Sequence, residues 1–165
     1  MNIWNFIIIL LAVGLGAMLV NIIESIQKKK SVGMSFKETL DICDLPIVTF
    51  THNNQKINFL LDTGANSSII DASFLKRPGL KYIESDFKGG ICGMEGNVVD
   101  TYYINMNITY KDNNYEEWFQ VLDMSKPFTS LKQDYGVNVH GILSSAFFAK
   151  YKYILDFKDF IAYAK

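Results

Sequence analysis

Cysteine, proline and histidine are scarce in this chain: its 165 residues include two cysteines, three prolines and two histidines. Cys43 and Cys92 are too few for a disulfide framework and too far apart for a CxxC knuckle. His52 and His140 have no partner at ligand spacing, so neither a metal nor any other cofactor is expected. So few prolines, with no long low-complexity tract, argue against disorder. An excess of one charge is missing too. Lys and Arg number 16 against 17 Asp and Glu, a formal net charge of -1. A generally basic nucleic-acid binder is thereby excluded. What is present is 49% apolar residues, enough for one modest domain, and one long apolar run.

That run is residues 3–23, which carry no charge; Phe6 to Val20 is unbroken apolar or Gly. A helix of this length spans the ~30 Å hydrocarbon core of a bilayer. Lys28, Lys29 and Lys30 follow it and no basic side chain precedes it. The positive-inside rule then puts the remainder of the chain on the cytoplasmic side. A cleaved signal peptide would need a basic start, a shorter apolar stretch and a small-x-small cleavage site. The expected organisation is an anchor with basic flank over 1–30, a polar linker over 31–44 and one domain over 45–165.

The domain reads as β. Pro46 to His52 and Ile57 to Leu61 form a hairpin around Asn53-Asn54, and its second strand delivers Asp62 into a loop. Ser68 to Ile70 is a short strand. Asp71 is expected to cap a short helix over Ala72 to Lys76, stopped by Pro78-Gly79. Strands over Lys81 to Phe87 and Val98 to Tyr110 flank a tip containing Gly89, Gly90, Gly93 and Gly96. Tyr115 to Leu122 and Val137 to His140 are further strands, Phe128 to Gln133 a helical turn, and Ser144 to Tyr151 a helix. A hairpin around Lys158-Asp159 closes the chain. His52 is read as a surface residue and His140 as half-buried.

The string Leu60-Leu61-Asp62-Thr63-Gly64-Ala65-Asn66-Ser67-Ser68-Ile69 carries the chemistry. A carboxylate at the end of a buried strand is costly unless it is hydrogen-bonded. Thr63 can supply a hydroxyl, and Gly64 lets backbone amides approach. Such a loop holds a carboxylate rigid and partly desolvated, as acid–base work requires.

On these residues the chain resembles the retropepsin-like aspartic proteases, single-domain relatives of pepsin. Their signature is two apolar residues, Asp-Thr-Gly-Ala, then Ser and an apolar residue. Gly89 to Asn97 has the place and composition of the family's flap. Val139-His140-Gly141-Ile142-Leu143 before Ala146-Phe147-Phe148 resembles its third landmark, and the likeness runs from about Leu45 to Lys165. His140 stands where an apolar residue is usual, and Ser144 where bacterial relatives often carry Gly. The resemblance implies an all-β acid-protease barrel with a short C-terminal helix, here preceded by one transmembrane helix. It implies Asp62, Thr63 and Gly64 as catalytic residues. Ala65, Gly90, Ile91, Cys92, Gly93 and Met94 would line the substrate site.

Hydrolysis in this family needs two facing carboxylates that share a proton and a water. The chain has a single Asp-Thr-Gly. A second chain must supply the other Asp62, in a homodimer with its twofold axis between them. Ala65 offers the pair no hydroxyl, so the expected activity optimum is less acidic than pepsin's. The partners expected are a protein or peptide substrate, a second copy of the chain and the lipid bilayer, with no nucleic acid. The alternative is a non-catalytic module of the same fold that binds a peptide or partner at the membrane.

Overall fold

The computed structural model describes Gly16, Met18 and residues 33–92 and 98–164, with backbone alone at 88, 90–92 and 98–100. The chain divides into two compact units, 1–33 and 34–165. The expected anchor over 3–23 lies outside the described residues, except for Gly16 and Met18 on helical backbone. Among the described residues no helix is long and apolar enough to cross a membrane.

The expected linker is where sequence and structure first differ. An α-helix, α1, occupies Phe36–Cys43. Ser35 caps it by accepting the Glu38 N–H at 3.2 Å, and Asp44 ends it in the left-handed region. Phe36, Thr39 and Cys43 are buried. The Thr39 hydroxyl donates to the Ile47 carbonyl and accepts from the Ile47 N–H, both at 2.9 Å. The helix is thus bolted to the sheet, so 36–43 within the expected linker is not a free tether.

The sheet begins with the expected hairpin, β1 (Ile47–His52) and β2 (Gln55–Asp62). Asn53 and Asn54, at φ 47° and 60°, make the left-handed two-residue turn that suits the twist of a hairpin. In β2 the alternation puts Ile57, Phe59 and Leu61 inside. Then come β3 (Ile69–Asp71), a single 3-10 turn over Phe74–Lys76, β4 (Ile83–Cys92), β5 (Val98–Tyr110) and β6 (Asn113–Leu122). Helix α2 (Ser125–Tyr135) precedes β7 (Gly141–Ser144) and α3 (Ser145–Tyr151), and β8 (Tyr153–Asp156) and β9 (Ile161–Ala164) form the closing hairpin. The strand order is β1-β2-β7-β3-β6-β5-β4, and an added pairing of β1 with β5 at Thr51 and Thr109 curls the sheet on itself.

Three further readings are corrected. The strand expected over Val137 to His140 lies at Gly141–Ser144 instead. Asp71 caps no helix; its carboxylate accepts from the Ser73 hydroxyl and, at 2.9 Å, from the Met124 N–H. His52 is 7% exposed, not a surface residue, because both ring nitrogens sit 2.6 Å from carbonyl oxygens, those of Asn107 and Lys81. His140 is half-buried as expected.

Aromatic rings fill the space inside the curled sheet. Phe59 stacks on Phe119 with centroids 5.3 Å apart, and Phe50 meets Phe59 edge-on at 5.7 Å. Phe147 of α3 reaches Phe50, Tyr115 and Tyr153. Each fully buried ring contributes roughly 1.5–3 kcal/mol of transfer free energy. Of the closing aromatics, Tyr153 is core, whereas Phe157 and Phe160 remain exposed.

Candidate active site

Strand β7 is threaded between β2 and β3. It runs parallel to β2, placing Asp62 opposite Ser144, and antiparallel to β3, placing Ile70 opposite Gly141. The loop 63–68 therefore crosses the end of β7, with Asp62 at one root and Ser68 at the other. Only glycine fits at Gly141. An added Cβ would strike the Ile69 carbonyl oxygen and lie 2.7 Å from the Phe59 ring.

The loop holds its carboxylate with its own backbone. The Gly64 N–H donates to Asp62 Oδ1 at 2.8 Å, and the Ala65 N–H to the Asp62 carbonyl at 3.3 Å. A Cβ on Gly64 would sit 3.2 Å from that same Oδ1, so a side chain here would crowd the carboxylate. Asp62 is half-buried, and Thr63 and Gly64 are exposed. The side that carries the acid is open, as a reacting carboxylate needs.

The opposite side of the loop is fixed from below. Ser145 donates to the Ala65 carbonyl from both its N–H, at 2.9 Å, and its hydroxyl, at 2.7 Å. The buried Ser68 hydroxyl donates to Glu117 Oε1 at 2.8 Å. Having given its hydrogen there, it accepts from the Ser144 hydroxyl at 3.2 Å and the Ser144 N–H at 3.3 Å. Ser144 Oγ in turn accepts the Phe147 N–H at 3.4 Å and so caps α3. Lys150 Nζ closes the chain of contacts 3.3 Å from Glu117 Oε2. Ser144, the departure from the bacterial pattern, thus joins the Asp62 loop to the helix behind it.

The sequence reading missed this support. Its one readable signal was Glu117, which stands among the inward-facing Tyr115, Phe119 and Val121 of β6. A carboxylate in an inward register needs donors, and Ser68 and Lys150 are those donors.

The four motif residues Asp62, Thr63, Gly64 and Ala65 share one loop. The Gly-rich hairpin exists as β4 and β5, paired out to Cys92 opposite Val98. Gly90, Ile91 and Cys92 end β4, whereas Gly93 and Met94 lie outside the described residues. Gly89 packs against Tyr103, 3.1 Å from where its Cβ would be. Cys43 is buried, its thiol donating to the Thr39 carbonyl at 3.2 Å. No cluster among the described residues could hold a metal ion.

At the far end of β7 lies His140. Its N–H donates to the Asn58 carbonyl at 2.8 Å, and its carbonyl accepts the Asp71 N–H at 2.9 Å. Burial, and next the neighbouring Arg77 guanidinium, hold the imidazole well below its ordinary range, at about 4; Asp71 opposes them weakly.

Residues 48–116 match the sequence model of the family described as aspartyl protease. Among solved structures, the retroviral protease-like domain of Ddi1 from Leishmania major superposes with a TM-score of 0.52 at 14% identity, over 73% of this chain and 88% of that one. The EIAV protease complexed with the inhibitor HBY-793 is 23% identical over 64% of this chain and 86% of that one, with a TM-score of 0.45. No curated protein matches the chain in sequence.

Proposed function

We propose that this chain is a retropepsin-like aspartic protease, a membrane-anchored endopeptidase working as a homodimer; the aspartyl protease match over 48–116 and the likeness of fold to a retroviral protease-like domain support the reading. The observation that carries the reading is the Asp62 carboxylate. It stands at the open end of β2, one oxygen held by the Gly64 N–H and its loop fixed by Ser145, Ser68 and Ser144. The chain has one such loop, so two chains must bring their Asp62 residues together. One carboxylate then takes a proton from the attacking water, and the other, protonated, donates to the scissile carbonyl. Like charges held that close cannot both ionise easily, and the pair shares one proton.

The exposed Thr63 of each loop would brace the partner's loop. The Gly-rich hairpin, with Gly90, Ile91, Cys92, Gly93 and Met94, would close over a peptide bound beside Ala65. Residues 3–23 would hold two chains in one bilayer and raise their effective concentration, with the domain on the cytoplasmic side.

The test uses the full chain in detergent micelles, a mixed peptide library near pH 6 and mass-spectrometric detection. Cleavage should vanish in Asp62→Asn, which keeps an oxygen for the Gly64 N–H and so keeps the fold. Excess Asp62→Asn chain mixed with wild type should suppress activity, because mixed dimers lack one acid. Cleavage that survives Asp62→Asn would overturn the reading. Absence of cleavage by a chain shown to be dimeric would leave a peptide-binding module in its place.

A further inference from the structure

A polar cavity of about 240 Å3 opens at the end of β7 away from Asp62. It lies between the 3-10 turn, α2 and the segment leading into β7. Its walls include Asp71, Ser73, Arg77, Thr129, Lys132 and His140. The space is several times the ~30 Å3 share of one water.

The charges facing this cavity are unbalanced. Asp71 is already engaged at both oxygens, by the Ser73 hydroxyl and the Met124 N–H. Arg77 and Lys132 form no ion pair among the described residues. The Arg77 guanidinium is aimed by its seat over the Phe74 ring, 4.4 Å from the centroid.

The hydrogens are unbalanced as well. His140 Nδ1 accepts the Asn58 N–H at 2.9 Å, so the hydrogen of a neutral ring is on Nε2. Nε2 lies 2.9 Å from Arg77 Nη2, and a guanidinium can only donate. The depressed imidazole described above agrees with a neutral ring. Two donors therefore face each other at the mouth of a cavity that also holds a lysine. An acceptor drawn in beside them takes both hydrogens and both positive charges.

We propose that this cavity binds a phosphate group, as the free ion or a small monoester, through Arg77, Lys132 and the Nε2–H of His140. A tetrahedral dianion offers acceptors to all three donors at once, and the charges of Arg77 and Lys132 outweigh that of the single Asp71 carboxylate, whose oxygens already accept from Ser73 and Met124. The ligand would tie together the strands that carry the active loop. His140 is bonded to Asn58 of β2 and to Asp71 of β3, and it directly precedes β7. The proposal does not depend on proteolysis, and its test reads binding alone.

The full chain in detergent is titrated calorimetrically with inorganic phosphate and, separately, with O-phosphoserine, and melted with and without each. Saturable binding and a rise in Tm are expected. Arg77→Ala and Lys132→Ala should each weaken binding by about tenfold or more, since each removes a charged donor. The Lys132 side chain makes no hydrogen bond or ion pair among the described residues, so Lys132→Ala guards against a failure of Arg77→Ala to fold. Lys37→Ala, on the exposed side of α1, should bind as wild type does. Tighter binding of phosphoserine would identify a monoester site, and equal or weaker binding a site for the free ion. Absence of saturable binding to either probe, or binding that Lys132→Ala leaves unchanged, would overturn the proposal.

Discussion

Replacing Gly141 by Ala should damage the domain far more than one methyl group suggests. The new Cβ would lie 2.7 Å from Phe59 Cε1 and 2.9 Å from Cδ1. Carbon atoms pack at about 3.5–4.0 Å, so the overlap is close to ~0.8 Å. The ring cannot retreat: Phe59 is fully buried, stacked on Phe119 and wedged against Phe50. The other obstruction, the Ile69 carbonyl, is backbone of β3 and cannot rotate away. Relief must come from separating β7 from β2 or β3. Overpacking a rigid core typically costs ~1–3 kcal/mol, and two immovable neighbours set the expectation at the upper end, about 3 kcal/mol. For a domain of this size that lowers Tm by roughly 10 °C. Urea denaturation followed by circular dichroism measures it. Gly136→Ala is the control: Gly136 has φ 71° but nothing within 4 Å of its Cβ position, so it should lose only about 1 kcal/mol, from backbone strain. A Gly141→Ala chain within about 1 kcal/mol of wild type would refute the threading of β7 between β2 and β3.

Acid should destabilise the fold through His140. Its folded pKa of about 4 lies below the ordinary 6.5, so the unfolded chain takes up the proton first. The stability contributed by the neutral ring is complete above pH ~6.5 and is lost as pH falls towards 4; its upper bound is about 3 kcal/mol. Urea midpoints at pH 7 and pH 4 should converge between wild type and His140→Gln, and parallel pH profiles would contradict the burial argument. Ser144→Ala should lose about 1–2 kcal/mol, because it uncaps α3 and removes a donor to Ser68. Its urea midpoint should fall while its slope stays constant. A chain stable to within a few tenths of a kcal/mol would show the hydroxyl to be idle.

Local chemistry was enough to single out Asp62 as the candidate acid. Asp62 follows an alternating apolar strand, and Thr63-Gly64 is a loop that can bond a carboxylate, so the strand, the turn and the acid all follow from adjacent residues. The Asn53-Asn54 turn, the long β5–β6 pair and the closing hairpin were legible for the same reason: period-two burial and left-handed turn residues are written within a few positions.

Elsewhere the sequence pointed away from the fold. Residues 36–43 mix charged and apolar side chains with too little pattern to announce a helix. It forms because Ser35 caps it and because Phe36 and Thr39 find a sheet to bury against. Val137 to His140 has the residue types of a strand, yet the β ladder opens at Gly141, because only there can the backbone pass between Phe59 and Ile69.

The sequence by itself determined the candidate carboxylate and the local strands, because those depend on neighbours along the chain. The tertiary structure decided what holds that group in place. Ser68, Ser144 and Glu117 are brought together from three separate segments, β7 is set between β2 and β3, and both histidines are held by backbone groups from distant segments. Hydrogen bonds and steric fits between residues tens of positions apart leave no periodic mark on a chain. They exist only once the sheet has closed.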